Sequence, residues 1–308
     1  MVEIVLFSLK VLAMLVCLMF CVWLASGRMK MGELANIRLT YETLSIVSDC
    51  AYCVAGREVR FPNVDFRAAE VLRLGDLQLT GIEDASAHRG VRRVSVENID
   101  VLEMAMRLEN PLVLNFANAH FAGGGFYLGA NAQEESICRR STLYASLKSP
   151  EAKRFYRENN FHIRCSEADT LIYSPNVIVF RNQRNELLLD PRVVSVVSAA
   201  APNRRGLGVF LTRRALERVF ERRIRMILEL ARRKGHRNLV LGAWGCGAFG
   251  NSPALVAACF KRALADERQT ANLDFVGFAI PYRLSDRNFR AFGDCFPQRR
   301  DNKEQGRK

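Results

Sequence analysis

Two adjacent carboxylates, Glu134 and Glu135, follow Gln133 at the start of a segment with helical patterning. A carboxyl pair suits acid–base work on a glycosidic bond, where one group protonates the leaving oxygen and later activates water. Seven residues upstream lie three consecutive glycines, Gly123, Gly124 and Gly125. They close a loop that begins Asn115-Phe116-Ala117-Asn118-Ala119-His120. Without Cβ atoms, such a loop lets backbone approach a ligand, and its exposed N–H groups suit phosphate. Each feature also has a plainer reading. Glu in a first helical turn is by default a surface residue that offsets the helix dipole, and a glycine run is often only a loop. A second loop reads Gly242-Ala243-Trp244-Gly245-Cys246-Gly247-Ala248-Phe249-Gly250-Asn251, and Ser252-Pro253 then opens a helix. Strand, glycines and helix N-terminus together take a pyrophosphate through backbone amides and the helix dipole. No Lys-Ser/Thr follows, so this is not a Walker loop. Gly245, Gly247 and Gly250 have GxGxxG spacing, but too little chain follows for a dinucleotide-binding domain. A structural turn explains one or two of these glycines more easily than four.

The elements that must carry these loops alternate strand and helix. Ala35 to Val47 has helical spacing through Ile37, Tyr41, Leu44 and Val47. Arg57 to Phe61 reads as a short strand, and residues 62–90 give no clear assignment. Strands are then expected at Arg93–Ile99, Leu112–Phe116, Leu171–Phe180 (bent at Pro175), Val193–Ala200, Leu239–Trp244 and Phe275–Ile280. Helices are expected from the Asp100 cap to Leu108, over Glu134–Leu147, over Leu211–Arg233 and over Pro253–Ala265 with proline in the first turn. The long helix buries Leu216, Phe220, Ile224, Ile227 and Ala231. This order predicts a three-layer α/β/α domain whose ligand loops sit at the carboxyl ends of the strands. The chain divides into an apolar segment 1–28, an accessory helical region 29–90, a core 91–285 and a basic tail 286–308.

The 308 residues include 45 Lys+Arg against 32 Asp+Glu, a formal charge of +13. Such an excess favours polyanions and says nothing about fold. The Arg-rich stretch 204–237 is a solvated helix face by default; its functional reading is attraction of a long polyanion. The basic helix within it, Leu211–Arg233, offers one aromatic, Phe220, on the inner face, so no specific nucleic-acid partner is expected. The 9 cysteines include one CxxC, Cys50 and Cys53, with only 4 His in the chain. Unpaired thiols in a reducing compartment fit better than zinc, and neither a metal ligand set nor a cofactor is indicated. Cys246 reads as small-residue packing, and His120 as a satisfied loop residue. Residues 4–25 are almost continuously apolar, with Lys10 the one charge. Three readings stand: a signal anchor, a cleaved signal peptide, or an extension upstream of a start at Met29 or Met31. Arg28, Lys30 and Arg38 favour a cytosolic body behind a membrane anchor, with secretion as the alternative.

Taken together, the triple glycine, seven residues and QEE resemble the signature of poly(ADP-ribose) glycohydrolases of the microbial type. The similarity runs through Glu42-Thr43-Leu44, Asn115-Phe116-Ala117, Cys138-Arg139-Arg140-Ser141-Thr142-Leu143-Tyr144, Tyr173-Ser174-Pro175, Val179-Phe180-Arg181, Ala200-Ala201-Pro202-Asn203 and the second glycine loop. It spans roughly residues 36 to 281 and leaves out the apolar segment. The resemblance implies a macrodomain-like fold with a mixed central sheet and an N-terminal helical extension. It implies a monomer acting on poly(ADP-ribose) or ADP-ribosylated protein by hydrolysis of the ribose–ribose bond. An ADP-ribose reader or a mono-ADP-ribosyl hydrolase with little polymer turnover is the alternative, and retention of both glutamates favours the polymer enzyme. Carried over, Glu135 is the general acid, and Glu134 fixes ribose hydroxyls. Asn118 is the ribose-binding Asn, and Gln133 orders the loop. Gly123, Gly124 and Gly125 approach the distal ribose and phosphate. The loop of Gly245, Cys246, Gly247, Ala248, Phe249, Gly250 and Asn251 holds the diphosphate, with Phe249 against the terminal ribose. Ala122 departs from the Pro that bacterial relatives often carry there. One physical demand follows. A helix N-terminus lowers a carboxyl pKa, so an ionised Glu134 and the substrate diphosphate must outweigh it if Glu135 is to donate a proton.

Overall fold

A computed structural model describes residues 31–77, 90–161, 168–282 and 286–297. Residues 4–25 and the tail from 299 therefore lie outside the described residues. Among the described residues, no helix is long and apolar enough to cross a membrane.

Seven strands form one mixed sheet: β3 (Glu70–Arg73), β4 (Arg93–Glu97), β5 (Pro111–Phe116), β6 (Thr170–Arg181), β7 (Leu187–Ala199), β8 (Asn238–Leu241) and β9 (Phe275–Ala279). Their order is β3-β6-β7-β5-β8-β9-β4. The run β7, β5, β8, β9 and β4 is parallel throughout, whereas β3 and β6 join antiparallel. A separate hairpin pairs β1 (Ala51–Val54) with β2 (Arg57–Arg60). Alternation along the strands builds two cores. Leu112 and Leu114 of β5, Val197 and Ala199 of β7, and Leu239 and Leu241 of β8 face one layer of helices, while Val113, Val196 and Val240 face the other. The first layer holds α6 (Arg213–Arg233), α7 (Pro253–Leu264), the short α8 (Glu267–Thr270) and α9 (Asp286–Cys295), and the second holds α2 (Val101–Ala105), α3 (Gln133–Arg140), α4 (Leu143–Leu147) and α5 (Lys153–Phe161). This is the expected three-layer arrangement. On α6 the expected inner face, Leu216, Phe220, Ile224, Ile227 and Ala231, is buried. At Pro175 the β6–β7 register shifts between Ser174 and Val177, as the bend requires.

Several expectations are corrected. The helix expected over Glu134–Leu147 is two helices. Ser141 is extended and bridges Val179, and Thr142 exchanges bonds with Ile178, its N–H donating at 3.0 Å and its Oγ1 accepting at 2.9 Å. Pairing with β6 outcompetes helix continuation, as Ser and Thr side chains allow. The boundary at 91 cuts through the sheet, because β3 lies before it. The expected tail from 286 begins with α9, whose Phe292 is fully buried against Phe260 and Phe278. Strand β7 starts six residues earlier than expected, and β8 ends three earlier, at Leu241.

The first helix, α1, spans Met31–Asp49, longer than expected at both ends. Its inner face is not the apolar set read from spacing: Tyr41 is exposed, while Thr40, Thr43 and Ile46 are buried. The threonines point inward because carbonyls of the glycine loop and of α3 await donors there.

Candidate active site

Loop one leaves the carboxyl end of β5 and loop two that of β8, the neighbouring parallel strand. The two loops therefore emerge on one edge of the sheet. A Cβ added at Gly242 would lie 3.0 Å from the Phe116 ring, so their bases touch. The end of β7 binds both: Ala117 N–H donates to Ala199 O at 3.1 Å, and Trp244 Nε1 donates to the same oxygen at 3.0 Å.

The first turn of α3 delivers Gln133, Glu134 and Glu135 to this edge. Both glutamates are buried, at 3% and 8% exposure, so the surface reading of a first-turn carboxylate does not describe them. Glu134 Oε1 accepts from Asn115 Nδ2 at 3.3 Å, and its Oε2 accepts from Asn118 N–H at 2.8 Å. Glu135 Oε1 accepts from Gly125 N–H at 2.9 Å, while its buried Oε2 has no partner. Gln133 spends both ends of its amide on β5. Its Oε1 accepts from Phe116 N–H at 2.7 Å, and its Nε2 donates to Leu114 O at 2.9 Å. It orders the loop base, and this fixes the phase of the helix turn carrying the glutamates.

Electrostatics of the pair differ from the sequence expectation. Burial pushes the Glu134 carboxyl up to about 8, the N–H groups of Asn118 and Gly123 and the Asn115 amide pull it down, and the Glu135 charge pushes it up again. Desolvation wins because a carboxylate loses most when water is removed. Near neutral pH Glu134 therefore carries its proton and is not the anion that the sequence argument invoked beside Glu135.

The three glycines are required by the protein's own side chains as much as by any ligand. Gly123 and Gly124 have φ of +70° and +54°. A Cβ at Gly123 would sit 2.8 Å from the Tyr144 ring, one at Gly124 2.5 Å from Glu135 Oε1, and one at Gly125 2.7 Å from Ala130 Cβ. Asn118 turns the loop: its Oδ1 accepts from His120 N–H at 2.8 Å and Phe121 N–H at 3.0 Å. His120 Nδ1 meets Asn160 Oδ1 at 2.6 Å, in keeping with a loop residue that has its partner.

Loop two turns at Gly245 and Gly250, with φ of +72° and +69°. The buried Asn251 bridges its ends, donating from Nδ2 to Pro202 O at 2.7 Å and Gly245 O at 3.0 Å. Gly247 and Ala248 are exposed, and Phe249 is half-buried. Gly247 has no atom within 4 Å of where a Cβ would stand, so this stretch of backbone is open to a ligand. Burial pushes the Cys246 thiol up to about 12, and its Sγ lies 3.6 Å from Trp244 O. It is a protonated packing group and no nucleophile. Among the described residues, no cluster of His, Cys, Asp and Glu could hold a metal.

The sequence reading assigned no role to the residues that hold loop one from outside, although Thr43, Asn115 and Arg139 stood in its motifs. From α1, Asn36 Nδ2 donates to Gly129 O at 3.0 Å, Thr40 Oγ1 to Phe126 O at 2.9 Å and Thr43 Oγ1 to Arg139 O at 2.6 Å. The buried Arg139 donates to Ala130 O at 2.7 Å and Asn131 Oδ1 at 2.9 Å. Asn115 ties Glu134 to Ser198 Oγ, the latter at 2.9 Å. An amide closing an otherwise apolar strand was the available signal for Asn115. No local pattern marks Thr40, and Arg139 was marked only as part of the 138–144 motif.

Comparison with known proteins agrees with this geometry. Residues 40–182 match the family model described as "Microbial-type PARG, catalytic domain". The crystal structure of poly(ADP-ribose) glycohydrolase from Thermomonospora curvata is similar at 36% identity and a TM-score of 0.79, covering 85% of this chain and 99% of that one. Its complex with the inhibitor ADP-HPD gives 35%, 0.76, 85% and 99% in the same order. The Deinococcus radiodurans enzyme in complex with ADP-ribose is 32% identical with a TM-score of 0.67, over 77% of this chain and 97% of that one. No curated protein sequence matches. Because the likeness to the Thermomonospora enzyme exceeds a third of aligned residues over nearly all of that chain, this chain belongs to the microbial-type poly(ADP-ribose) glycohydrolase family.

Proposed function

We propose that this chain hydrolyses the ribose–ribose O-glycosidic bonds of poly(ADP-ribose) and releases ADP-ribose, with Glu135 as general acid and then general base. The observation that carries the reading is the state of the Glu135 carboxyl: one oxygen is fixed by Gly125 N–H, and the other is buried without a partner. A buried polar atom with no partner costs free energy unless a ligand supplies one.

The chemistry then runs as follows. The Glu135 carboxyl gives its proton to the 2′-oxygen of the leaving adenosine ribose as the bond to the anomeric carbon breaks. Positive charge spreads over that carbon and the ring oxygen. Water attacks the anomeric carbon and returns its proton to the Glu135 carboxylate, so one water is consumed per bond cut. Glu134, neutral near pH 7, binds ribose hydroxyls without placing a second anion in the cleft. The substrate's own diphosphate is held by the open backbone of 245–251. The Asn118 amide orients the distal ribose, and Phe249 packs on the terminal ribose.

Residues 4–25 add membrane attachment to this proposal, with the catalytic body on the cytosolic side, supported by the basic residues Arg28, Lys30 and Arg38 behind the apolar run. Fractionation with protease protection tests this part separately.

The catalytic part is tested with labelled polymer. The native chain releases ADP-ribose, while Glu135→Gln binds ADP-ribose but releases none. Binding without release by both proteins would replace the enzyme with a reader of ADP-ribose.

A further inference from the structure

Helix α6 carries eight arginines and three glutamates, and ion pairing divides them unevenly. Every glutamate is committed. Glu217 pairs with Arg213 at 3.1 Å, Glu221 with Arg262 at 2.6 Å, and Glu229 with Arg232 and Arg233 at 2.7 Å each. Asp169 takes both Arg222 and Arg223. That leaves Arg214, Arg218 and Arg225, all exposed, and no acidic side chain among the described residues pairs with them. They stand at i, i+4 and i+11, on one face of the helix, and span about 16 Å of its axis. Like charges on one stripe repel, so the fold itself gains nothing from them.

The stripe begins beside the mouth of the site. Arg204 N–H donates to Phe249 O at 2.9 Å. Arg205 lies over Gly250, where an added Cβ would be 3.4 Å from its Cγ. A single 3-10 turn, Leu207–Phe210, then leads to Thr212, which caps α6. Positive charge therefore continues from the rim of the diphosphate loop onto the exposed face of the helix.

We propose that Arg214, Arg218 and Arg225 form a secondary binding track for poly(ADP-ribose), contacting diphosphates of units beyond the one held in the cleft. The proposal rests on the glycohydrolase reading. Such a substrate carries paired negative charges at a regular repeat. Once a unit is seated in the cleft, weak contacts further along act at high effective concentration. Nucleic acid has similar charge, and although Phe220 of the helix is fully buried, Phe210 just before it is exposed, so competition by single-stranded DNA is part of the test.

The test uses the full chain with Arg214→Gln/Arg218→Gln/Arg225→Gln and a second triple variant with Lys at the same positions. Turnover is measured on long polymer and on the two-unit polymer, with ADP-ribose affinity as the control for an intact fold. The glutamine variant is expected to raise KM for long polymer about tenfold, from three exposed charge contacts, with kcat unchanged. It should leave the two-unit substrate and ADP-ribose affinity unaltered. The slope of log KM against log salt should fall by about 2 units, and lysine should restore both. An unchanged KM and salt slope on long polymer, with ADP-ribose still bound, overturns the track while leaving the glycohydrolase reading intact. So does single-stranded DNA of equal charge competing as well as polymer. A native chain that releases no ADP-ribose from either substrate removes the glycohydrolase reading and the track with it.

Discussion

Replacing Gly124 by alanine perturbs the candidate acid with one methyl group. The new Cβ would stand 2.5 Å from Glu135 Oε1 and 3.2 Å from Glu134 Oε2. Ordinary carbon contacts lie near 3.5 Å, so the Glu135 carboxyl must retreat by about 1 Å. It can do so by rotating its own side chain, which loosens the bond from Gly125 N–H but leaves the backbone in place. Holding alanine at the φ of +54° seen at Gly124 adds about 1–2 kcal/mol. A displacement of about 1 Å at a reacting group costs roughly 100-fold in rate. The variant should therefore stay folded, lose modest stability, and lose about 100-fold in kcat with ADP-ribose affinity nearly unchanged. Release of ADP-ribose from labelled polymer gives kcat, titration with ADP-ribose gives affinity, and denaturant unfolding gives stability. A folded Gly124→Ala protein with kcat within about threefold of native would refute the placement of Glu135 as the acid.

Other consequences are equally open to measurement. Because folding raises the Glu134 pKa to about 8, its contribution to stability is complete below the unfolded value of 4.5 and is lost as pH rises through 8. Between those limits native stability should fall by about 1.4 kcal/mol per pH unit from this group, and Glu134→Gln should flatten that slope in urea melts at several pH values. Gln133→Ala leaves Phe116 N–H and Leu114 O without their partner and should cost about 1–3 kcal/mol, read from the urea midpoint. Thr43→Val keeps the shape but removes the bond to Arg139 O and should cost about 1 kcal/mol in the same melts. Burial pushes the Cys246 thiol up to about 12, so iodoacetamide at mildly alkaline pH should label the exposed Cys50 and Cys53 before Cys246, as peptide mass mapping will show.

The alternation of elements and the two glycine loops were legible in the chain itself, because period-two and helical patterns report burial locally. Proline at the start of α7, the Asp100 cap and the bend at Pro175 were read for the same reason. Misreadings fell where a distant strand supplied the deciding bond. Ser141 and Thr142 look helical in sequence, but Ser141 is extended and Thr142 begins a new helix because β6 offers them partners. The buried face of α1 looks wrong by hydropathy and is right by hydrogen bonding, since Thr40 and Thr43 answer carbonyls far along the chain. Helix α9 was read as tail because its charged residues hide the burial of Phe292.

By itself the amino-acid order determined which chemical groups exist and in what sequence they arrive: a glutamate pair behind a triple glycine, and a second glycine loop opening a helix. Tertiary structure alone decided the environment of those groups. It buried a first-turn carboxylate that local rules leave in water, raised the Glu134 pKa through that burial, and left one Glu135 oxygen without a partner. The physical reason is that secondary structure follows from neighbours in the chain, whereas desolvation and hydrogen bonding depend on atoms brought close only when the sheet assembles.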